Sequence, residues 1–166
     1  MAFDNHMQRG YPIVFGLILL FSAIELAISA WLTARFSARH DYFSTDELDR
    51  THFILFSSIW TIVVSVFYLL FFFVLPSTVM SSVLSHIILL LLTWIFWTAG
   101  AASVTTLLGG GLNCSQTVFA YCGQLNAMEA FAWLLWVLVT FLLIIVAIRG
   151  ILVARRGDGV RGPLLA

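Results

Sequence analysis

An all-α, polytopic membrane bundle of four helices is the fold class that the sequence predicts. Three observations carry the expectation. Of the 166 residues, 61% are apolar and 10% charged, against about 25% charged in an ordinary soluble domain. The stretch from Thr51 to Met128 holds no Asp, Glu, Lys or Arg. Four apolar runs are each long enough to cross a hydrocarbon core, which takes about 20 residues per helix. A soluble enzyme or a disordered chain cannot be built from such a composition. Nucleic-acid binding needs a basic face, and here eight Arg, with no Lys, are balanced by eight acidic residues.

The expected spans are 11–36, 45–75, 82–108 and 127–152, flanked by an N-terminal tail over 1–10 and a basic C-terminal tail over 153–166. They are apolar all round and show no strand-like alternation, which selects helices over a barrel. Pro12 suits a helix start, where its missing N–H costs nothing. Ser44 with Glu47, and Asn126 with Glu129, read as capping boxes that open the second and fourth helices. Pro76 is expected to end the second helix, and Gly109, Gly110 and Gly111 the third. The first run exceeds the roughly 7–15 residues of a signal-peptide core, so it reads as an uncleaved anchor.

Four spans place both termini on one side of the membrane. That side carries Arg9, Arg149, Arg155, Arg156 and Arg161, and the other carries Arg35, Arg39 and Arg50. The positive-inside rule then predicts cytosolic termini, with the loops Ser37–Arg50 and Gly109–Asn126 outside. The turn Pro76–Ser81 is short enough to make the second and third helices antiparallel neighbours. Arg149, Arg155, Arg156 and Arg161 are also the candidates for lipid-headgroup contact. Cys114 and Cys122, the only cysteines, share one outward loop, where oxidation is permitted. They are expected to form a structural disulfide, with two free thiols as the alternative. Asn113-Cys114-Ser115 is a glycosylation sequon. It sits so close to the membrane, and around a cross-linked residue, that little use of it is expected.

Glu25 is the sharpest anomaly. An acidic residue in mid-span costs roughly 2.5–3.5 kcal/mol on insertion scales. Ser22 and Ser29 fall on the same helix face, so the three should point into the bundle. No Arg or Lys lies at that depth, so the carboxyl needs neutral donors or a bound proton. Thr61, Thr98, Thr140 and the indoles of Trp60, Trp94 and Trp97 are the candidate donors. A structural carboxyl that sets helix register is the leading reading. A proton-coupled transport site is the alternative. Glu129 reads as a capping residue favoured by the helix dipole.

His6, His40, His52 and His86 have no metal-ligand spacing among them, and no nucleophile–base pair or phosphate loop occurs. No catalytic residue, metal or cofactor is expected. Five of the six Trp residues (Trp60, Trp94, Trp97, Trp133 and Trp136) lie within spans rather than at their ends, which favours packing between helices over an interfacial belt. Gly16, Ala23, Ala27, Ala30 and Ala34 form one small-residue stripe, and Ala99, Gly100, Ala102 and Ser103 a second patch. Either could bring helices together within the chain or between subunits.

Four segments carry a resemblance: FSAIELAISAWLT, FSSIWT, SHIILLLLTWIFWTAGAASVTTLLGGGLNCS and YCGQLNAMEAFAWLLW. The chain resembles fungal MARVEL-domain proteins of the basidiomycete type from about Tyr11 to Ile151. The resemblance implies four helices with cytosolic termini and a non-enzymatic role in membrane microdomains, apposition or trafficking. The expected partners are membrane lipids, with sterol facing the in-span tryptophans as the alternative to their packing between helices, and lateral protein partners or further copies of the chain. The implied location is the plasma membrane or the secretory pathway. Other four-span families fit less well. Tetraspanins carry a large outer loop with a Cys-Cys-Gly motif, and only Tyr121-Cys122-Gly123 occurs here. Claudins carry a Trp and two Cys in the first outer loop, where Ser37–Arg50 has neither. Small multidrug exporters share a first-helix Glu but have shorter loops and no outer cysteine pair.

Overall fold

Each apolar run forms one long helix, because a backbone without water must satisfy its own N–H and C=O groups. The computed structural model of the protein describes residues 2–42, 44–74, 83–111, 113–115 and 119–155. Its four helices are α1 (Ala2–Arg39), α2 (Thr45–Val74), α3 (Val83–Leu108) and α4 (Cys122–Arg155). All four contain a stretch long and apolar enough to cross a membrane.

Helix ends follow from local chemistry. α1 stops where His40 turns left-handed at φ 52 and its N–H bonds to Phe36 O at 3.0 Å. The expected cap of α2 is present: Ser44 Oγ accepts from the Glu47 N–H at 3.3 Å. α3 ends at the glycines. Gly109 and Gly110 have φ of 71 and 94, and Gly110 N–H reaches back to Thr105 O at 3.1 Å. This is a Schellman closure, which needs a residue tolerant of positive φ.

Two expected starts are corrected. Pro12 does not begin α1, which is helical from Ala2; losing one N–H near a helix end leaves the ladder beyond it able to form. Asn126 and Glu129 do not cap α4. The helix starts at Cys122, where Tyr121 O accepts from the N–H groups of Gln124 and Leu125. Tyr121 itself is left-handed at φ 60, and its neighbour Cys122 is held by the disulfide. Those constraints fix the helix start before the Asn126 side chain can. Asn126 instead points its amide at Cys114 Sγ, 3.7 Å away. Pro76 and the turn Pro76–Ser81 lie outside the described residues.

α1 packs mainly on α2 and α4, and α3 packs on the same two helices. Across α2 and α3 the contacts pair Arg50 with Ser103, Trp60 with Thr93 and Tyr68 with Ser85. Across α3 and α4 they pair Trp94 with Thr140, Trp136 with Thr98 and Trp133 with Thr105. Residue numbers rise along one helix as they fall along its neighbour.

The inward faces follow a spacing of three and four residues. On α1 the buried seam is Phe15, Ile18, Ser22, Glu25, Ser29, Leu32 and Phe36. On α4 it runs from Leu125 through Met128, Ala132, Leu135 and Val139 to Leu142 and Val146. Such spacing keeps one stripe facing its partners, as in coiled coils. The seam of α2 is mostly polar, with Thr51, Ser58, Thr61, Ser65 and Tyr68 around Ile54. Gly100 on α3 lets α2 approach: a Cβ there would lie 2.8 Å from Ile54 Cδ1.

The first small-residue stripe points the other way. Ala23, Ala27, Ala30 and Ala34 are exposed, and nothing lies within 4 Å of a Cβ built on Gly16. These residues therefore make no close contact inside the bundle. The second patch is split, with Gly100 buried and Ala99 and Ala102 facing out.

Candidate functional site: a polar seam inside an apolar shell

Ser22, Glu25 and Ser29 share the inward face of α1, and each is 0% exposed. Ser29 Oγ donates to Glu25 O at 2.8 Å, a bond to the helix's own backbone. Both carboxyl oxygens of Glu25 and the hydroxyl of Ser22 are buried with no hydrogen-bond partner among the described residues. The contact of Phe15 with Tyr68 fixes how α1 sits beside α2, and Phe36 meets Tyr42 in the segment before α2. Counting up α1 from Phe15 and down α2 from Tyr68 sets Glu25 level with Ser58, with Ser57 beside it and Thr61 about a turn nearer Tyr68.

The candidate donors are engaged elsewhere. Trp97 Nε1 donates to Thr61 Oγ1 at 2.9 Å, and Trp60 Nε1 to Thr93 Oγ1 at 3.0 Å, joining α2 and α3 in both directions. Trp94 Nε1 donates to Thr140 Oγ1 at 2.9 Å, and Trp136 Nε1 to Thr98 Oγ1 at 2.8 Å, joining α3 and α4 in the same reciprocal way. Trp133 Nε1 adds a bond to Thr105 Oγ1 at 2.9 Å. Each threonine also donates. Thr61, Thr93, Thr98 and Thr140 donate to the carbonyl four residues before them, and Thr105 donates to Glu129 Oε1 at 2.7 Å. Trp97 in the core and Trp60, Trp94 and Trp136 against it are packing residues, whereas Trp133 is exposed; all five are inter-helix donors. A sequence signal existed in the five Trp and five Thr at mid-span, but which pairs meet depends on helix register.

Glu129 lies inside α4, 8% exposed, with Thr105 as its donor. It is a second carboxyl buried within a membrane-crossing helix, where the sequence suggested an end cap. Glu47, in the first turn of α2, is buried to 1%. Arg50 donates from its guanidinium to Ser103 O. At the opposite end Tyr68 Oη donates to Ser85 O at 3.0 Å, and its ring stacks on His86 at 3.9 Å.

The two connecting segments meet at one end of the bundle, called here the loop end. Cys114 and Cys122 are joined in a disulfide with Cα atoms 5.6 Å apart. Tyr121, beside it, donates its hydroxyl to Asp41 Oδ2 at 2.7 Å and packs its ring against Trp31 and Phe36. The hydrogen bond to Asp41, with a smaller contribution from the charge beside it, pushes the Tyr121 phenol above its usual range. Arg35 lies 5.2 Å over the Trp31 ring. Asn113 is exposed, and Ser115 Oγ donates to its Oδ1 at 2.8 Å.

Of the candidate headgroup residues, Arg149 is buried to 9% on α4. Arg156, Arg161 and the side chain of Arg155 lie outside the described residues. Among the described residues, no group of three His, Cys, Asp or Glu is placed to hold a metal ion.

Four membrane-length helices, apolar outside, with α2, α3 and α4 hydrogen-bonded to one another inside, define an integral, multi-pass membrane protein. Residues 10–145 match the MARVEL family, described as a membrane-associating domain. The match spans most of the chain, and the protein belongs to that family. No curated protein and no solved structure matches it.

Proposed function

We propose that this MARVEL protein is a non-enzymatic organiser of membranes, working through lateral contacts with lipids and other membrane proteins at microdomains or sites of apposition and trafficking. The observation that carries the reading is the division of its surface. Polar side chains such as Glu25, Thr61 and Thr93 are turned inward, while Leu20, Val63, Leu91 and Phe141 are among the large apolar residues left on the outside. The outward Ala23–Ala34 stripe adds a narrow surface on which another helix can lie closely.

The contact order between neighbouring helices supports an antiparallel bundle, and the arginine count supports cytosolic termini. We place the chain in the plasma membrane or secretory membranes, on the fungal, basidiomycete-type branch suggested by the stretch from Ser85 to Ser115. Arg155 and Arg156 would then face anionic lipid, worth about 1 kcal/mol each at the surface.

The test is purification from native membranes, with the co-purifying proteins and lipids identified by mass spectrometry. A reproducible set of membrane proteins or a lipid class enriched over a control four-span protein is expected. Substrate turnover, or proton-driven flux in liposomes that is lost in Glu25→Gln, would replace the organiser with an enzyme or a transporter. A tag at Ala166 reachable from outside intact cells would overturn the topology.

A further inference from the structure

The seam of α1 is apolar at both ends and polar in its middle, where Glu25 sits between Ser22 and Ser29. Burying a polar group without a partner is costly, and here two carboxyl oxygens and one hydroxyl share that state. The hydroxyls level with Glu25 have already used their donors. Ser57, Ser58 and Thr61 donate to Phe53 O, Ile54 O and Ser57 O. What they still offer is lone pairs. These surroundings offer a carboxylate no hydrogen, and burying an unpaired charge costs more than burying a neutral acid.

The groups around Glu25 are also unevenly distributed. Towards the loop end lie two further buried carboxyls, Glu47 on α2 and Glu129 on α4, with Thr51 between Glu47 and the central hydroxyls. Towards the other end α1 presents Phe15 and Ile18, α3 Leu90, and α4 Leu142 and Val146. Among the described residues the polar groups on that side include Ser65, Tyr68 and His86, with Arg149 buried near the end of α4, and Tyr68 is bonded to Ser85 O. α2 beyond Thr51 and the whole of α3 carry no Asp, Glu, Lys or Arg, and α4 before Arg149 carries only Glu129.

We propose that Glu25, with Ser22 beside it, is a proton-binding site within the membrane that exchanges with the loop end of the bundle through the buried hydroxyls of α2. Uptake takes one proton from the aqueous phase at that end and converts a carboxylate into a neutral acid. Nothing is oxidised or reduced, and no second ligand is required. The site reports the acidity of one compartment and does not connect two, so it stands independently of the organiser reading.

Hydrophobic carbodiimides add to a protonated carboxyl in apolar surroundings, which gives a direct probe. The full chain is reconstituted into sealed liposomes, and vesicles of each orientation are separated by a C-terminal tag. Dicyclohexylcarbodiimide is added while the pH is varied on one side at a time, and the modified peptide is mapped by mass spectrometry. The expected adduct is on Glu25 and is lost in Glu25→Gln. Once the site is titrating, its yield falls about tenfold per pH unit on the loop side and is insensitive to the other side. An adduct that follows pH on the tail side overturns the proposal. So does the absence of an adduct on Glu25 at every pH in wild-type protein, a result that does not depend on any variant folding.

Discussion

The bond from Trp97 to Thr61 can be isolated by a double-mutant cycle. Trp97 is 0% and Thr61 2% exposed, and the bond is 2.9 Å. Thr61→Val keeps the shape of the side chain but removes two things: the acceptor for the indole and the hydroxyl's own bond to Ser57 O. The second loss is matched by Thr106→Val, because Thr106 is exposed and bonds only to Ala102 O. The difference between the two variants is therefore the cost of stranding a buried indole N–H, about 1–3 kcal/mol. Trp97→Phe completes the cycle. Coupling between polar partners in membrane helices averages about 0.6 kcal/mol and reaches about 1.7. Full burial at both ends places this pair in the upper part of that range. Reversible unfolding in bicelles, followed by Trp fluorescence and circular dichroism, supplies the four stabilities. A coupling energy of zero would refute the claim that the indole–hydroxyl pairs hold α2, α3 and α4 in register.

Gly100→Ala should destabilise the bundle by about 1–3 kcal/mol, because its Cβ would meet Ile54 Cδ1 at 2.8 Å; Ile54→Val removes that atom and should recover most of the loss in the same unfolding assay. Cys114→Ser with Cys122→Ser opens a short loop and should cost about 2–3 kcal/mol in the loop-closure account, read as a lower thermal midpoint with no change in helix content. Tyr121 should titrate above an ordinary phenol in ultraviolet absorbance, with Tyr121→Phe identifying its signal. Its folded-state value is raised by Asp41, so the stability it contributes is complete below the unfolded phenol's range and is lost as pH rises through the folded one. Limited proteolysis near residue 41 should increase over that window, and an unchanged cleavage rate would count against the contact.

The four helices were legible because membrane-length apolar runs with few charges have few other folds open to them. The inward face of α1 was legible too, since Ser22, Glu25 and Ser29 stand out against an otherwise apolar helix. The start of α4 was not. Asn126 and Glu129 form a sound local capping pattern, and a covalent constraint at Cys122 together with the turn at Tyr121 overrides it. The direction of the Ala23–Ala34 stripe could not be read either. Lipid tails are as apolar as a helix partner, so hydrophobicity does not tell an inner face from an outer one in a membrane. The donors expected for Glu25 bond elsewhere, because their partners are fixed by the register of α3 against α2 and α4.

The indole–threonine bonds within the spans pin α2, α3 and α4 to one another. α1 is held to its neighbours by the fit of its seam and, at the loop end, by Tyr121 reaching Asp41. Mechanically, three helices form a pinned frame and the fourth is seated against it. Sliding or turning α1 leaves those indole–threonine bonds intact, and its outward face carries the stripe Ala23, Ala27, Ala30 and Ala34. Glu25 therefore rides on the element outside that hydrogen-bonded frame. Any partner that grips α1 from the lipid side acts on the helix that carries the buried carboxyl.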